Sequence, residues 1–412
     1  MSKRHMGYWI ALLALLFGAV PTAFMQEADS PWFAYLFNSS TKELVRVDEL
    51  GEQQTFDLGL PADVYIGGRE LSFSPDGTQA AFCMLQPQAQ QQTSTNVLIV
   101  RDLALGTNVV ERELGDGIAC SATFDEKAER VVVSRLHEFP AGFEVDAAKP
   151  LWTLEVYSLP EADAPLAVID RTQVQTPPER GFGMALVRSF VGSEVVFVVV
   201  PYATEGPAWV PAYRWNVETG VLIDESAWGN MFYTELPAWG EIAWLEPDAS
   251  LPMGNPGGPM PSNNVARLSG PYATNATLYH SPDWVLIDLA FIEGGRSLAL
   301  QLLESFDPAQ GELPQQTRWV AINRQGESRD LGVQSDYTQL VGTADGFAAL
   351  VADDINGQPG TTPSIRLELH EGGEVQQLWE VNPGGPGLSW ELVWSTPMTP
   401  AEDLQPFQPL ES

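Results

Sequence analysis

A short strand–turn–strand motif recurs along this chain, and it constrains the fold more than any other feature of the sequence. The clearest copy, residues 70–82, reads Glu-Leu-Ser-Phe-Ser-Pro-Asp-Gly-Thr-Gln-Ala-Ala-Phe. Pro presets φ, Asp caps locally and Gly accepts a positive φ, so Ser74–Gly77 predicts a tight turn between two apolar strands. A motif that repeats every few tens of residues indicates an array or a propeller.

Degenerate copies of the motif follow along the chain. Aligned on their leading apolar residue, the copies start at Phe73, Phe124, Phe190, Phe291 and Val341. The interval from Phe190 to Phe291 leaves room for two units, so a missing copy is expected near Glu241–Glu246. Several intervals are about fifty residues long, which is typical of a four-stranded propeller blade.

The two ends of the chain are expected to complete one blade together. Three strand-like runs between residues 32 and 57 precede the first full copy, and one strand, Leu388–Trp394, follows the last. Pairing of these strands would close the ring and remove a free edge. The sequence therefore predicts an all-β, seven-bladed β-propeller over residues 30–396, with six or eight blades as alternatives. Residues 397–412 are expected to form a disordered tail.

The motif resembles the WD40-like (PD40) repeat of the TolB family of periplasmic translocation proteins and of prolyl oligopeptidase-type peptidases. Leu71–Thr78 and Ala80–Phe82 carry the likeness. The resemblance implies the propeller fold, and fold-level similarity does not assign a function. The sequence contains no Gly-x-Ser-x-Gly nucleophile elbow, so we do not expect the hydrolase domain of the peptidases. We also expect no separate α/β domain, as in TolB, before the repeats.

The N-terminal segment has the pattern of an export signal. Lys3 and Arg4 precede an apolar run from Tyr8 to Val20, which is shorter than the ~20 residues of a membrane-spanning helix. Because the following residues match a small-x-small cleavage site poorly, residues 1–28 are expected to be either a cleaved signal peptide or an uncleaved membrane anchor. We therefore expect the protein in the periplasm or the extracellular space.

The excess of acidic residues argues against anionic partners. The chain has 54 acidic and 21 basic residues, for a formal net charge of −33. Nucleic acids and anionic membranes bind cationic surfaces, so neither is expected as a partner. Outside the leader the only histidines, His137, His280 and His370, are isolated in sequence. No metal site, no cofactor and no catalytic residue is therefore predicted.

Cys83 and Cys120 are the only two cysteines. They are expected near the second strand of one blade and the first strand of the next. A disulfide between them suits an exported protein, and two buried free thiols are the alternative.

Aromatic residues in the middle of the chain are the best candidates for ligand or partner contacts. Trp209, Trp228 and Trp239 lie in loops or beside turns, where exposed aromatic rings anchor partners or stack on sugars, although buried blade positions are equally compatible. The first hypothesis is an exported, non-catalytic binding or scaffold module with an unknown protein partner. The alternative is a propeller enzyme or binding protein that acts on a glycan at the channel mouth through paired carboxylates.

Overall fold

The computed structural model consists of β-strands, turns and two short 3-10 turns in the part of the chain that it describes. The described residues are 32–61, 64, 66, 70–87, 94–138, 150–174, 183–201, 211–225, 232–236, 239–247, 263–304, 317–333, 335, 337–353, 363–382 and 389–410. Seven antiparallel four-stranded sheets form the blades of a ring. The prediction of an all-β, seven-bladed propeller is confirmed.

Blades 1 to 4 follow one another along the chain. Blade 1 contains β1 (Phe33–Asn38), β2 (Glu43–Asp48), β3 (Gln53–Asp57) and the last strand, β28 (Trp390–Ser395). Blade 2 contains β4 (Ser72–Phe73), β5 (Gln79–Pro87), β6 (Ser94–Asp102) and β7 (Thr107–Gly117). Blade 3 contains β8 (Ala119–Phe124), β9 (Arg130–Leu136), β10 (Trp152–Ser158) and β11 (Ala167–Asp170). Blade 4 contains β12 (Gly183–Val191), β13 (Glu194–Pro201), β14 (Ala212–Asn216) and β15 (Leu222–Asp224).

Blades 5 to 7 continue the same order. Blade 5 contains β16 (Tyr233–Leu236), β17 (Glu241–Pro247), β18 (Asn263–Gly270) and β19 (Ala273–His280). Blade 6 contains β20 (Trp284–Ile292), β21 (Ser297–Glu304), β22 (Thr317–Asn323) and β23 (Ser328–Asp330). Blade 7 contains β24 (Tyr337–Gly342), β25 (Gly346–Asp353), β26 (Ser364–Glu371) and β27 (Glu374–Val381). The weakest copy of the motif thus forms β16 and β17, where the spacing predicted a blade.

The turn motif forms as its residues dictate. The amide of Gly77 donates to the carbonyl of Ser74 at 2.8 Å, and Gly77 has φ of +68°. A Cβ at Gly77 would lie 2.8 Å from the ring of Trp394. Glycine is therefore required there both for the backbone conformation and for the packing of blade 2 against blade 1.

The C-terminal strand closes the ring by pairing with the N-terminal strand. In the β1–β28 ladder, Ala34 pairs with Ser395 and Tyr35 with Trp394. The first strands of neighbouring blades contact one another around the centre, so β28 completes the innermost circle of strands. Closure by the two ends of the chain, as the sequence predicts, is what removes the open edge.

The core lies between the faces of neighbouring blades. Between blades 3 and 4, the rings of Trp152 and Phe197 are 6.0 Å apart and both side chains are fully buried. Strands that are covered on both faces in this way read as nearly continuous apolar runs, which is why β13 is almost entirely valine and phenylalanine. This packing fixes the angle and order of the blades.

The segment after β28 differs from the expected disordered tail. The amide of Ala401 donates to the carbonyl of Gly294 at 2.9 Å, and Leu404 and Phe407 are buried in the core cluster of blades 5 and 6. We call residues 397–410 the C-terminal strap. Its sequence is rich in proline and polar residues, so the two buried apolar side chains gave no periodic pattern from which to predict its docking.

Residues 1–31 lie outside the described part of the chain, so the expected signal peptide or anchor stays a prediction. Among the described residues, no helix has the length and apolarity needed to cross a membrane.

Candidate functional site

The two edges of the ring are built differently. On one edge, the second strand of each blade continues to the third, and several of these connections are long. They span residues 137–151, 202–211, 248–262, 305–316 and 354–363. We call this the long-connection edge. On the opposite, short-turn edge, neighbouring strands are joined mostly by tight turns such as Gly192–Ser193 and Gly372–Gly373.

The C-terminal strap lies on the short-turn edge. It contacts Gly294, in the connection between β20 and β21, and Arg324, in the connection between β22 and β23. Part of that edge is therefore occupied by the chain itself. Most residues of the long connections lie outside the described part of the chain, but the described strand ends place both ends of each connection on this edge, and connections on a rigid β-scaffold often carry binding residues.

Polar side chains occur on the inner strands that line the channel. Arg188 on β12, Glu235 on β16, Asp288 on β20 and Glu391 on β28 are each partly exposed. The second strand covers the outer side of every inner strand, so this exposure is toward the channel or its mouths. The inner strands that the structure describes carry one basic residue, Arg188, and these three acidic ones. These four charged side chains therefore stand among mostly apolar residues of the inner strands.

A β-bulge in strand β12 sets the orientation of the Arg188 side chain. The register of β12 with β13 shifts between Val187 and Ser189, which makes Arg188 the extra residue of a β-bulge. A bulge re-aims a side chain, and here the guanidinium carbon lies 4.9 Å from the ring centroid of Tyr233 in the next blade. Burial raises the pKa of the Tyr233 hydroxyl, so it stays protonated as a hydrogen-bonding group at neutral pH.

Glu235 sits beside this pair in the blade 4–5 interface. Burial raises the pKa of the Glu235 carboxyl above its ordinary value, and the positive charges of Arg214 and Arg188 act in the opposite direction. Arg214 is held in place by Glu225, with 2.9 Å between Nε and Oε1. Glu235 is thus a carboxyl group whose protonated form is favoured more than that of an ordinary glutamic acid.

A second group of polar side chains lies where blade 2 meets blade 3 at the long-connection edge. Arg135 Nη1 donates to Glu155 Oε1 at 3.0 Å, and the Tyr157 hydroxyl donates to Glu155 Oε2 at 2.5 Å. Arg135, Glu155 and Tyr157 are all buried, and Arg135 Nη2 also reaches the carbonyl of Asp116 in blade 2. We call Asn96, Arg112, Arg135, His137, Thr153, Glu155 and Tyr157 the blade 2–3 polar cluster.

His137 and Thr153 are in contact within this cluster, but they do not form an activated nucleophile. His137 Nε2 lies 3.0 Å from Thr153 Oγ1, and the Thr153 hydroxyl donates to Glu155 Oε1 at 2.9 Å. Since the hydroxyl proton is committed to the carboxylate, the imidazole is not placed to remove it. Burial and the charge of Arg135 lower the pKa of His137, so the ring is neutral at neutral pH.

Of the three candidate tryptophans, the structure describes Trp239; Trp209 and Trp228 lie outside the described residues. Trp239 is partly buried on the short-turn edge, with its ring centroid 6.1 Å from that of Tyr272. The guanidinium of Arg324 lies 5.2 Å from the Trp239 ring. The structure thus packs Trp239 near the C-terminal strap and does not bring it to the inner-strand residues.

The two cysteines are paired in the structure. A disulfide joins Cys83 on β5 to Cys120 on β8, with 5.7 Å between the Cα atoms. Both side chains are buried, and the bond links blade 2 to blade 3 next to the polar cluster.

Arg188 and Glu235 were not predicted as site residues from the sequence. The signal was present, because an arginine interrupts the otherwise apolar run of β12. Among the described residues, no group of three or more His, Cys, Asp or Glu side chains is arranged to hold a metal ion.

No protein-family model and no curated protein matches this chain. Solved structures of similar fold include a prolyl endopeptidase, at 13% identity and a TM-score of 0.53 over 88% of this chain and 50% of that chain. They also include the β-propeller domain of the Trilobed protease from Pyrococcus furiosus, at 12% identity and a TM-score of 0.48 over 85% and 92% of the two chains. TolB from Acinetobacter baumannii matches at 12% identity and a TM-score of 0.36 over 79% and 67%.

These similarities concern the fold. The chain spans half the length of the endopeptidase that it matches. At such low identity the match shows a shared propeller and assigns no activity. At the level of the fold, the resemblance predicted from the repeat motif is confirmed.

Proposed function

We propose that this protein is an exported, non-catalytic binding module that takes a protein partner at its long-connection edge and the adjoining channel mouth. The observation that carries the proposal is the difference between the two edges of the ring. One edge carries the long connections, while the other is closed by tight turns and partly covered by the C-terminal strap. A rigid ring that presents loops on one side is the usual arrangement of a binding scaffold.

Export is supported by two independent features. The leader has a basic start followed by an apolar run. The disulfide between Cys83 and Cys120 favours an oxidising compartment, because such bonds are rare in cytosolic proteins.

A non-catalytic role is supported by the way the polar groups are used. Arg135 Nη1 and the Thr153 hydroxyl both donate to Glu155 Oε1, and Arg214 is paired with Glu225. Hydrogen bonds and ion pairs of this kind hold neighbouring strands and blades together, and they leave the residues named without a nucleophile–base pair.

Site-specific photo-crosslinking in living cells that produce and export the protein tests the proposal. A photoreactive amino acid is placed at Glu138 or Asp283 on the long-connection edge, and at Glu218 or Glu327 on the short-turn edge as matched exposed controls. We expect the same partner adduct from both positions of the first pair and none from the second. Equal adducts from both edges, or adducts from the short-turn edge alone, would contradict the assignment.

A further inference from the structure

We propose that the blade 2–3 polar cluster binds a small oxyanion, of the carboxylate or phosphate class, between Asn96, Arg112 and Arg135. The inference is independent of the function proposed above, because it rests on the hydrogen-bonding needs of buried groups inside the ring rather than on a surface.

Asn96 is the first observation. Its side chain is fully buried, and neither its Oδ1 nor its Nδ2 atom has a hydrogen-bond partner among the described residues. Asn96 alternates on β6 with Leu98 and Val100, which pack in the blade 2–3 core, so its amide faces blade 3. Leaving a buried amide without a partner is energetically unfavourable, which implies that another group satisfies it.

Two glycines on β7 bring Asn96 and Arg135 to the same stretch of backbone. A Cβ at Gly117 would lie 2.1 Å from Asn96 Oδ1, so any larger residue there would displace the amide. A Cβ at Gly115 would lie 3.7 Å from Arg135 Nη2. The sequence Gly115-Asp116-Gly117 therefore makes room for both polar side chains between the blades.

The donors in the cluster outnumber the acceptors. The Nε atoms of Arg112 and Arg135 are both buried and have no partner among the described residues. Together with Asn96 Nδ2 they give three kinds of unsatisfied N–H donor, against the single unsatisfied acceptor Asn96 Oδ1. A ligand that only accepts hydrogen bonds, through two or three oxygens, matches this set.

The charges of the cluster residues also favour an anionic ligand. From blade 2 the cluster receives the positive charge of Arg112, and from blade 3 that of Arg135 and the negative charge of Glu155. His137 is neutral at neutral pH, as argued above. Asp116 pairs with Thr95, so by alternation its side chain projects from the opposite face of the sheet and only its carbonyl enters the cluster. Arg112, Arg135 and Glu155 together carry one net positive charge, and the exposed carboxylate of Glu138 acts on His137 at the rim of the cluster.

Thermal unfolding of the full chain tests the proposal, with formate and phosphate as separate probes titrated at constant ionic strength set by sodium fluoride. We expect a saturable rise in Tm with one or both probes. Arg112→Gln should weaken the apparent affinity about tenfold or more, as loss of a charge-assisted hydrogen bond does. Arg318→Gln alters a partly buried arginine in blade 6, whose guanidinium carbon lies 4.3 Å from the centroid of the Trp284 ring, and it should leave the response unchanged.

A second variant keeps the test decisive if Arg112→Gln folds poorly. Asn96→Asp places a carboxylate of nearly identical shape in the cluster, so it should raise Tm in fluoride alone and abolish the response to the probes. The proposal is overturned by the absence of a saturable response in the wild type, which would leave ordered water as the occupant. It is also overturned if Arg112→Gln responds like Arg318→Gln, or if Asn96→Asp lowers Tm and still responds.

Discussion

Arg324 and Glu241 form a buried two-pronged ion pair that joins blade 6 to blade 5. Nη2 lies 2.7 Å from Oε2 and Nη1 lies 3.0 Å from Oε1, and the two side chains are 3% and 2% exposed. Arg324 also donates from Nε to the carbonyl of Gly295 and from Nη1 to that of Gln405 in the C-terminal strap. One guanidinium thus connects two blades and the strap.

Breaking this pair should destabilise the protein strongly. Arg324→Met leaves the carboxylate of Glu241 buried without its partner, and we expect a loss of about 3–5 kcal/mol in the free energy of unfolding. Chemical denaturation measures it. Arg296→Gln is the control, because the Arg296–Asp403 pair is exposed and should contribute at most about 1 kcal/mol. Equal losses in the two variants would contradict the role given to Arg324.

The strap should contribute to stability through its two buried side chains. Phe407→Ala removes a ring that is 3% exposed and should cost about 3–5 kcal/mol, the usual value for a buried aromatic residue. Leu410→Ala, at a position 44% exposed, should change stability by no more than about 0.5 kcal/mol. If unfolding by denaturant shows that both variants are as stable as the wild type, the strap is not part of the packed structure.

The disulfide should stabilise the ring between blades 2 and 3. Cys83 and Cys120 are separated by 37 residues, and a loop of that size gives about 3–4 kcal/mol in the chain-entropy estimate. We expect the fully reduced wild type to unfold at lower denaturant concentration than the oxidised form. The Cys83→Ala/Cys120→Ala variant, which has no bond to reduce, is the control and should respond to reductant no more than to buffer.

Glu235 should impose a pH dependence on stability. Because burial raises its folded-state pKa above the ordinary value of 4.5, the neutral form is favoured in the folded protein. Its contribution is fully present below pH 4.5 and is lost as the pH rises through the folded-state pKa. Glu235→Gln stays neutral, so its stability relative to the wild type should increase with pH above 4.5 and then level off. A difference that is constant between pH 4 and pH 8 would contradict this assignment.

The fold was largely predictable because its signals are local and repeated. The turn residues Ser74–Gly77 and the spacing of the motif's copies predicted the blades. The incomplete units at the two ends of the chain predicted the closure of the ring through β1 and β28. Even the weakest copy was placed correctly, at β17, since regular spacing required a blade there.

The polar sites could not be predicted in the same way. Asn96 and Arg135 both approach the Gly115–Gly117 stretch of β7 only because blade 2 packs on blade 3, and no spacing in the sequence predicts that arrangement. The position of Arg188 over Tyr233 depends on a bulge that shifts the register of β12. The strap docks through Leu404 and Phe407, two apolar residues without a periodic pattern.

We propose that the long-connection edge binds a protein partner outside the cytoplasm. The most direct measurement is in-cell crosslinking from Glu138 and Glu218, which lie on opposite edges of the ring. We expect a single partner adduct from Glu138, formed by exported protein whose Cys83 and Cys120 resist alkylation until they are reduced. An adduct from Glu218 instead, or exported protein with both thiols free, would contradict it.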